Sequence, residues 1–274
     1  MTDCGGYYLG PPGHMIRIDG SHAGLVRGWG SPVTVHDGGL APSYAFRSTR
    51  RPRRQWRIGL DLCTPDEVAG LHELLMSPAA SLVLVDPWAQ VTNVLSPEAS
   101  VLRSAPAGYV PLPRVGGYDL DGGGRVLSAA HNADPAVGII AGDGPVLPGG
   151  TVTASMWVGS PITARVRVRF LDAAGASISY VDGPPVSGLD RLRRSIVTAS
   201  VPSNAVAARV GGTGIQVAAR AALTWTPHAL PWGVGGAALR CVLGEVEDGI
   251  EYAAPTLTGQ RRTSSSVTVT EVGL

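Results

Sequence analysis

Hydrophobic and polar residues change their spacing twice between Arg53 and Pro97, which predicts a strand, a helix and a second strand. From Gln55 to Leu62 apolar residues alternate with polar residues or glycine, and Trp56 and Ile58 lie on the apolar side. We therefore expect one face of this strand to be buried.

The residues Thr-Pro-Asp-Glu at positions 64–67 predict the start of the helix. The threonine suits the N-cap, the proline suits the first helical position, and the glutamate can reach back to the threonine amide. Apolar residues then recur at helical spacing, with Leu71 and Leu75 among them, until Pro78. The pattern predicts a helix of about 12 residues, followed by a short strand from Ser81 to Val85.

Short apolar segments separated by turn residues fill the remainder of the chain. Strands of this kind at regular spacing are typical of a β-sandwich, so we predict a mainly β fold with one helix. The further predicted strands are Met15–Ile18, Val33–Val35, Tyr44–Phe46, Val126–Ala130, Gly138–Ala141, Thr151–Val158, Thr163–Leu171, Ser177–Val181, Leu192–Ser200, Ala207–Val210, Ile215–Ala218, Ala222–Thr226 and Val267–Val272. A polar break is predicted at 259–266, just before the last of these strands.

Proline and glycine become frequent after residue 97, which suggests a domain boundary. We predict an N-terminal β-rich domain with one helix over residues 1–97. A β-sandwich is predicted over residues 98–236. The closing strands, over residues 237–274, are expected to return to the first domain.

The segment Thr163–Leu171 alternates more strictly than any other. Burying its apolar residues would place Arg165, Arg167 and Arg169 in a row on the opposite face, at about 7 Å intervals. Neighbouring carboxylates could balance these charges. Alternatively, the three arginines could bind an anionic partner such as an adjacent subunit or a cell-wall polymer.

Composition removes several classes of function. The 274 residues carry a net charge of +1, which gives no electrostatic case for nucleic-acid binding. No apolar run reaches the about 18 residues that a membrane-spanning helix needs, and no signal peptide is evident at the N-terminus. We expect a soluble protein that is made in the cytoplasm.

The residue types that carry chemistry lack the spacing that chemistry requires. The six histidines form no metal-binding pair, the glycine runs do not precede a lysine and a helix, and no serine lies in G-x-S-x-G. We therefore expect no catalysis, no cofactor and no metal. Asp119 and Asp121 leave a calcium ion open as an alternative, although their spacing falls short of an EF-hand loop.

Four aromatic residues in the predicted sandwich could stack on a sugar, because an aromatic ring can cover the apolar face of a pyranose. The alternative is that they pack the sandwich itself. These candidate ligand-binding residues are Trp157, Tyr180, Trp225 and Trp232.

The stretch described first also resembles the N-terminal domain of distal tail proteins and related minor tail proteins of long-tailed bacteriophages. The resemblance consists of an R-x-W-x-(apolar) strand, a capped helix with paired leucines, a strand that ends in V-D-P, and an exit through N-x-L-S-P. Its residues in this chain are Arg54, Trp56, Ile58, Leu74, Leu75, Val85, Asp86, Pro87, Asn93, Leu95, Ser96 and Pro97.

The resemblance implies a virion protein that forms a ring, commonly a hexamer, between the tail tube and the host-adhesion apparatus. Its expected partners are further copies of itself, the tail tube protein, tail hub or fibre proteins, and host cell-wall carbohydrate. We expect subunit assembly to involve Trp56, Ile58, Leu71, Leu75, Asp86 and Pro87.

The predicted sandwich separately resembles the jelly-roll carbohydrate-binding modules of secreted glycosidases, on the segments Pro148–Val158, Thr163–Leu171 and Val201–Val210. The alternative function is therefore a polysaccharide-binding module of a secreted or cell-surface protein.

Overall fold

The computed structural model describes residues 6–18, 21–22, 33–36, 44–47, 54–76, 82–104, 112–253 and 261–272. Strands account for 53% and helices for 12% of the structure, and the antiparallel sheets curl as in a β-sandwich. The predicted mainly β fold class is confirmed. Arg53, Pro78, Ser81 and residues 259–260 of the predicted polar break lie outside the described residues.

Nineteen strands and three helices are described. The strands are β1 (Tyr7–Gly10), β2 (Ile16–Ile18), β3 (Ser21–His22), β4 (Val33–His36), β5 (Tyr44–Arg47), β6 (Gln55–Cys63), β7 (Leu82–Val85), β8 (Arg114–Val115), β9 (Tyr118–Asp119), β10 (Arg125–Val126), β11 (Ala129–His131), β12 (Ile139–Pro145), β13 (Thr151–Leu171), β14 (Ser177–Asp182), β15 (Val186–Ser200), β16 (Ala207–Thr213), β17 (Val217–Thr224), β18 (Ala238–Ala253) and β19 (Arg261–Glu271). The helices are α1 (Pro65–Met76), α2 (Pro87–Thr92) and α3 (Pro97–Ser100), and Pro135–Val137 forms a 3₁₀ turn.

The chain divides into two compact units, and each contains segments that are distant in sequence. The sandwich unit comprises Met1–Met15 and Val83–Leu239, and the small unit comprises Ile16–Leu82 and Arg240–Leu274. Compactness does not show where an independently folding domain begins or ends. The domain boundaries at residues 97 and 236 therefore stay a prediction.

The small unit is organised around β6, which pairs with β19 on one side and with β3 on the other. In the antiparallel register of β6 and β19, Trp56 lies opposite Val269 and Ile58 opposite Val267. All four side chains are buried. The alternation predicted for β6 therefore forms the apolar face of this sheet as far as its side chains are described.

An ion pair closes the end of the β6–β19 ladder. Arg54 Nε and Nη2 donate to the two carboxylate oxygens of Glu271, each at 2.7 Å, and the Arg54 guanidinium lies 5.0 Å from the centre of the Trp56 ring. The Glu271 amide also donates to the Arg54 carbonyl. A forked guanidinium fits a carboxylate with two parallel hydrogen bonds, so this contact fixes direction as well as distance.

Helix α1 begins with the predicted capping box. The Thr64 amide donates to Glu67 Oε2 at 2.7 Å, and the Glu67 amide donates to Thr64 Oγ1 at 3.3 Å. Leu71 is fully buried on the packed face, whereas Leu75 and Met76 near the helix end are 40% and 80% exposed. The helix therefore leaves apolar side chains in solvent at its C-terminal end.

The expectation of one helix was wrong, because two short helices follow β7. Asp86 caps α2 by accepting from the Ala89 amide, and Ser96 caps α3 in the same way by accepting from the Ala99 amide. In both helices proline occupies the first position, where the missing N–H costs nothing. Asp86-Pro87 thus starts α2 directly after β7, and Ser96-Pro97 starts α3.

The sandwich unit has two sheets, and the 21-residue strand β13 takes part in each of them. Its first half pairs with β15 and β17, and its second half pairs with β16 and β14. The pairing register shifts between Val158 and Ala164, where Pro161 is exposed. The two strands predicted at 151–158 and 163–171 are therefore one strand that bends from one sheet to the other.

The core of the sandwich unit lies between these two sheets. Every second residue of each half of β13 enters it, and Met156 and Val168 are fully buried examples. The rings of Tyr8 in β1 and Trp225 pack at 86° to each other, with ring centres 5.1 Å apart. The alternation predicted for residues 163–171 is thus realised in the core.

Strand lengths differ from the prediction at several places. Strand β17 joins much of the two predicted segments 215–218 and 222–226, while β1, β3, β8, β9 and β18 were not predicted. β19 begins at Arg261, so most of the predicted polar break is strand. Serine and threonine are accepted there because β19 lies between two partners, β18 and β6, that satisfy its backbone.

Candidate functional site

Two tryptophans and two arginines meet on the face of the β13–β17 sheet that points away from the sandwich core. We call Trp157, Arg194, Arg220 and Trp232 the arginine–tryptophan cluster. The Arg194 guanidinium lies 4.7 Å from the centre of the Trp157 ring, and the Arg220 guanidinium lies 5.9 Å from the same ring and 5.4 Å from that of Trp232. All four side chains are half-buried.

The strand register explains why Trp157 points outward. Met156 is fully buried in the core, so its neighbour Trp157 takes the opposite face, where it packs against the small apolar group around Leu192 and Ala219. Arg194 is directly opposite Trp157 in the β13–β15 ladder. Cross-strand neighbours on one face lie close enough for a guanidinium to cover an indole.

Arg220 reaches the cluster through a β-bulge. Ser155 pairs with Ala222 and Trp157 pairs with Ala219. Between these two pairs β13 has one residue and β17 has two, so β17 carries one extra residue. Arg220 occupies the extra position with a φ of 52°, a left-handed conformation that costs a branched or long side chain roughly 1 to 3 kcal/mol. This strained conformation aims the guanidinium between the two indoles.

Hydrogen bonds hold the walls of the cluster in place. Trp232 Nε1 donates to the Ala221 carbonyl at 3.0 Å, and Arg194 Nη2 donates to Ser155 Oγ and to the Leu230 carbonyl. Arg220 Nη2 donates to a backbone carbonyl at 3.4 Å. The side chains are therefore oriented before any ligand arrives.

Two donors in the cluster lack a partner. Trp157 Nε1 and Arg194 Nε are buried and make no hydrogen bond with any described residue. Leaving a buried donor unpaired costs about 1 to 3 kcal/mol. Burial also lowers the pKa of Arg194 from its usual value, because desolvation disfavours the charged form.

No carboxylate lies within ion-pair distance of Arg194 or Arg220 in the described part of the chain, where the ion pairs involve other arginines. The distances to Trp157 place the two guanidinium carbons no more than about 11 Å apart. At that separation two charges repel by about 0.4 kcal/mol in water and about 1.5 kcal/mol at an effective dielectric constant of 20. The cluster is therefore an electropositive spot with apolar walls.

The structure separates the four predicted aromatic residues into two groups. Trp157 and Trp232 are brought together through Arg220. Trp225 is 3% exposed, donates from Nε1 to the Pro145 carbonyl and packs on Tyr8, so it is a core residue with no free face for a ligand. Tyr180 is 55% exposed, and the Arg167 guanidinium lies 4.0 Å from its ring centre.

Among the described residues, one arginine of the predicted row pairs with a carboxylate. Arg167 makes two hydrogen bonds to Asp182, at 2.6 and 2.8 Å, which raise the pKa of Arg167 and lower that of Asp182. Arg165 donates to the Gly183 carbonyl at 3.1 Å. Arg169 lies opposite Arg209, which is itself paired with Asp143. An anionic partner for the row stays a prediction.

The residues predicted for subunit assembly differ in accessibility. Trp56, Ile58 and Leu71 are buried within the small unit, and only Leu75 among the predicted set offers substantial apolar surface. Asp86 is buried as the cap of α2, and Pro87 is half-buried at the first position of that helix. Their role in assembly stays a prediction.

Sequence reasoning missed Arg194 and Arg220. In the strand predicted at 192–200, Ser195 and Val197 lie two positions apart on the buried side. The alternation could therefore have placed Arg194, the residue before Ser195, on the outer face. The bulge at Arg220 had no sequence signal, because glycine or asparagine is the usual sign of positive φ and neither occurs there.

The described residues contain no group of three histidine, cysteine, aspartate or glutamate side chains that could hold a metal ion. Asp119, one of the two calcium candidates, lies 3.9 Å from Arg125 instead. None of the helices within the described ranges is both long and apolar enough to cross a membrane.

No protein family and no curated protein matches this sequence. Among solved structures, the SPP1 Dit protein, described as a paradigm of the hub adsorption apparatus in phages that infect Gram-positive bacteria, is 9% identical. The match covers 79% of this chain and 98% of that chain, with a TM-score of 0.23.

Two further structures match parts of larger chains. The enzymatically active domain of bacteriophage CBA120 tailspike protein 4 is 8% identical over 82% of this chain, with a TM-score of 0.26. The carbohydrate-binding and catalytic modules of Clostridium thermocellum xylanase 10B, complexed with xylohexaose, are 15% identical over 49% of this chain, with a TM-score of 0.32. The match spans 20% of the tailspike chain and 28% of the xylanase chain. Similarities this weak do not identify a family.

Proposed function

We propose that the chain is a structural component of a long-tailed bacteriophage tail tip, a distal tail protein that forms a ring between the tail tube and the host-adhesion apparatus. The protein is then made in the host cytoplasm and resides in the virion. Its partners are further copies of itself, the tail tube protein, and hub or fibre proteins.

The observation that carries this proposal is the pairing of β19 with β6. The closing strand Val267–Val272 resembles the C-termini of the same tail proteins and is expected to return to the first domain, and here the ladder is fixed at its end by Arg54 and Glu271. Other residues of the resemblance have structural roles as well. Asp86 and Ser96 are helix caps, and Asn93 bonds four backbone groups of the sandwich unit.

Assembly into a ring needs an apolar surface that the single chain leaves uncovered. The end of α1 supplies one, because Leu75 and Met76 are 40% and 80% exposed. Apolar side chains buried at a subunit interface contribute about 1.5 to 3 kcal/mol each. We therefore assign the end of α1 to the subunit contact.

Native mass spectrometry of the full chain over a concentration series tests the proposal. We expect a closed oligomer, with six copies as the family resemblance implies, and we expect Leu75→Glu to shift it to monomers. Leu127→Glu is the matched control, because Leu127 is 86% exposed in the sandwich unit and should leave assembly unchanged. A chain that stays monomeric at every concentration would contradict the ring.

A second candidate function is a polysaccharide-binding module. Half-exposed Trp157 and Trp232 and the exposed ring of Tyr180 favour it, because aromatic rings at a surface can stack on sugars. Retention of the full chain in affinity gels that contain soluble polysaccharides tests this function, and equal mobility with and without each polymer would count against it.

A further inference from the structure

We propose that the arginine–tryptophan cluster binds an acidic saccharide, a sugar or polyol polymer that carries phosphate or carboxylate groups. The inference rests on the second candidate function, polysaccharide binding, and does not depend on ring formation. Three features of the cluster support it: its uncompensated charge, its strained arginine and its apolar walls.

The charge selects an anion. Arg194 and Arg220 both lie against Trp157, and no described carboxylate is within ion-pair distance of either. Among the described residues Arg220 donates a hydrogen bond only from Nη2, so its other N–H groups are available in the plane of the guanidinium. Phosphate and carboxylate groups are the acceptors that this rim fits best.

The strain at Arg220 indicates that its position matters. A glycine would occupy a φ of 52° without a steric penalty, yet an arginine stands at the bulge. Bulges re-aim side chains next to binding sites, and strained residues are concentrated at such sites. The fold therefore holds the Arg220 side chain between Trp157 and Trp232, whereas a surface arginine without these contacts could adopt many other positions.

The walls favour a saccharide over a lone anion. Trp232 is half-exposed, Leu230 is 36% exposed, and the indole of Trp232 is fixed by its bond to the Ala221 carbonyl. Fixed aromatic and aliphatic surface beside two cations suits a ligand with an apolar sugar face and an acidic substituent.

Single-stranded nucleic acid offers a similar combination of base and phosphate. Its binding requires a basic groove that follows several phosphates and successive stacking residues. Here two guanidinium groups form a compact spot on a chain of net charge +1. The observations therefore favour the saccharide.

Isothermal titration calorimetry on the full chain provides the test. The probes are a glycerol phosphate oligomer, a galacturonate oligomer, a neutral glucose oligomer of the same length and a short oligothymidylate. We expect binding to at least one acidic saccharide, weakening as sodium chloride rises from 50 to 500 mM, and none to the neutral oligomer. The phosphate and carboxylate arms then show which acidic group the site prefers.

The decisive variant is Arg220→Gly, which removes the guanidinium while the backbone keeps a conformation that glycine favours. We expect binding at least about tenfold weaker, as for loss of a charge-assisted hydrogen bond, with a thermal unfolding temperature no lower than that of the wild type, because glycine relieves the backbone strain. Arg169→Gln is the matched control, since it removes the same charge from the other sheet and should leave binding intact.

Each of these results would overturn the proposal: no binding of either acidic oligomer, equal binding of the neutral oligomer, tighter binding of oligothymidylate, or wild-type affinity in Arg220→Gly. Loss of binding in Arg169→Gln alone would move the site to the arginine row and would also refute it. Native mass spectrometry on the same samples reports ring formation separately, so that failure of one function is not mistaken for failure of the other.

Discussion

Replacing Trp56 by alanine should unfold the small unit preferentially. The indole is 3% exposed on the buried face of β6, opposite Val269, and carries the Arg54 guanidinium over its ring. Truncating a buried tryptophan typically costs about 3 to 5 kcal/mol. Loss of the cation–π contact adds about 0.5 to 2 kcal/mol, a large fraction of the about 5 to 15 kcal/mol that stabilises a typical domain.

Hydrogen exchange measured by mass spectrometry separates the two units in one experiment. In Trp56→Ala we expect faster amide exchange in β6 and β19, with exchange in β13 and β17 unchanged. The matched control is Trp88→Ala, because Trp88 is 61% exposed and its truncation should change the free energy of unfolding by less than about 0.5 kcal/mol.

Two results would refute this reasoning. Wild-type protection of β6 in Trp56→Ala would mean that the indole contributes little to the core of the small unit. Equal destabilisation by Trp88→Ala would mean that exposure in the structure does not predict the cost of losing a tryptophan.

Three other substitutions test separate contacts. Asn93→Ala leaves the four backbone groups that Asn93 bonds without partners and should lower the free energy of unfolding by at least about 3 kcal/mol, measured by urea denaturation. Asp182→Asn should cost no more than about 1 kcal/mol at pH 7, because the pair with Arg167 is partly exposed. Hydrogen bonding from Arg167 holds the pKa of Asp182 below its usual value, so the pair stabilises the fold above about pH 4 and the difference from wild type should vanish as pH falls through the lowered pKa. Thr64→Ala should cost about 1 kcal/mol by removing half of the capping box with Glu67, and unchanged exchange in α1 would contradict that role.

Local patterns predicted local structure well. The alternation in β6 and in the second half of β13 and the capping box of α1 each depend on neighbouring residues, so the sequence carries their full signal. The helices after Asp86 and Ser96 were missed although a cap followed by proline was visible, because Asp86-Pro87 was interpreted as the end of a strand and Ser96-Pro97 as part of the exit from it.

The remaining features depend on residues that are distant in sequence. β13 looked like two strands because Pro161 interrupts the pattern, and only partners on two different sheets make it continuous. Trp225 and Trp232 carry the same side chain, and only the packing of Tyr8 on one of them distinguishes core from surface. The position of Arg220 follows from an extra residue in β17, which becomes visible only once its register with β13 is known.

The distance between Arg54 and Glu271 has a consequence for biosynthesis. The two residues are separated by 217 positions, so at about 5 to 20 residues per second the ribosome delivers Glu271 roughly 10 to 40 s after Arg54. Apart from β1, the strands of the sandwich unit are synthesised in this interval, while the edge of β6 that β19 will cover is without its partner. Unpaired strand edges are templates for aggregation. We therefore expect a chaperone to have the most effect during the interval between the synthesis of β6 and that of β19.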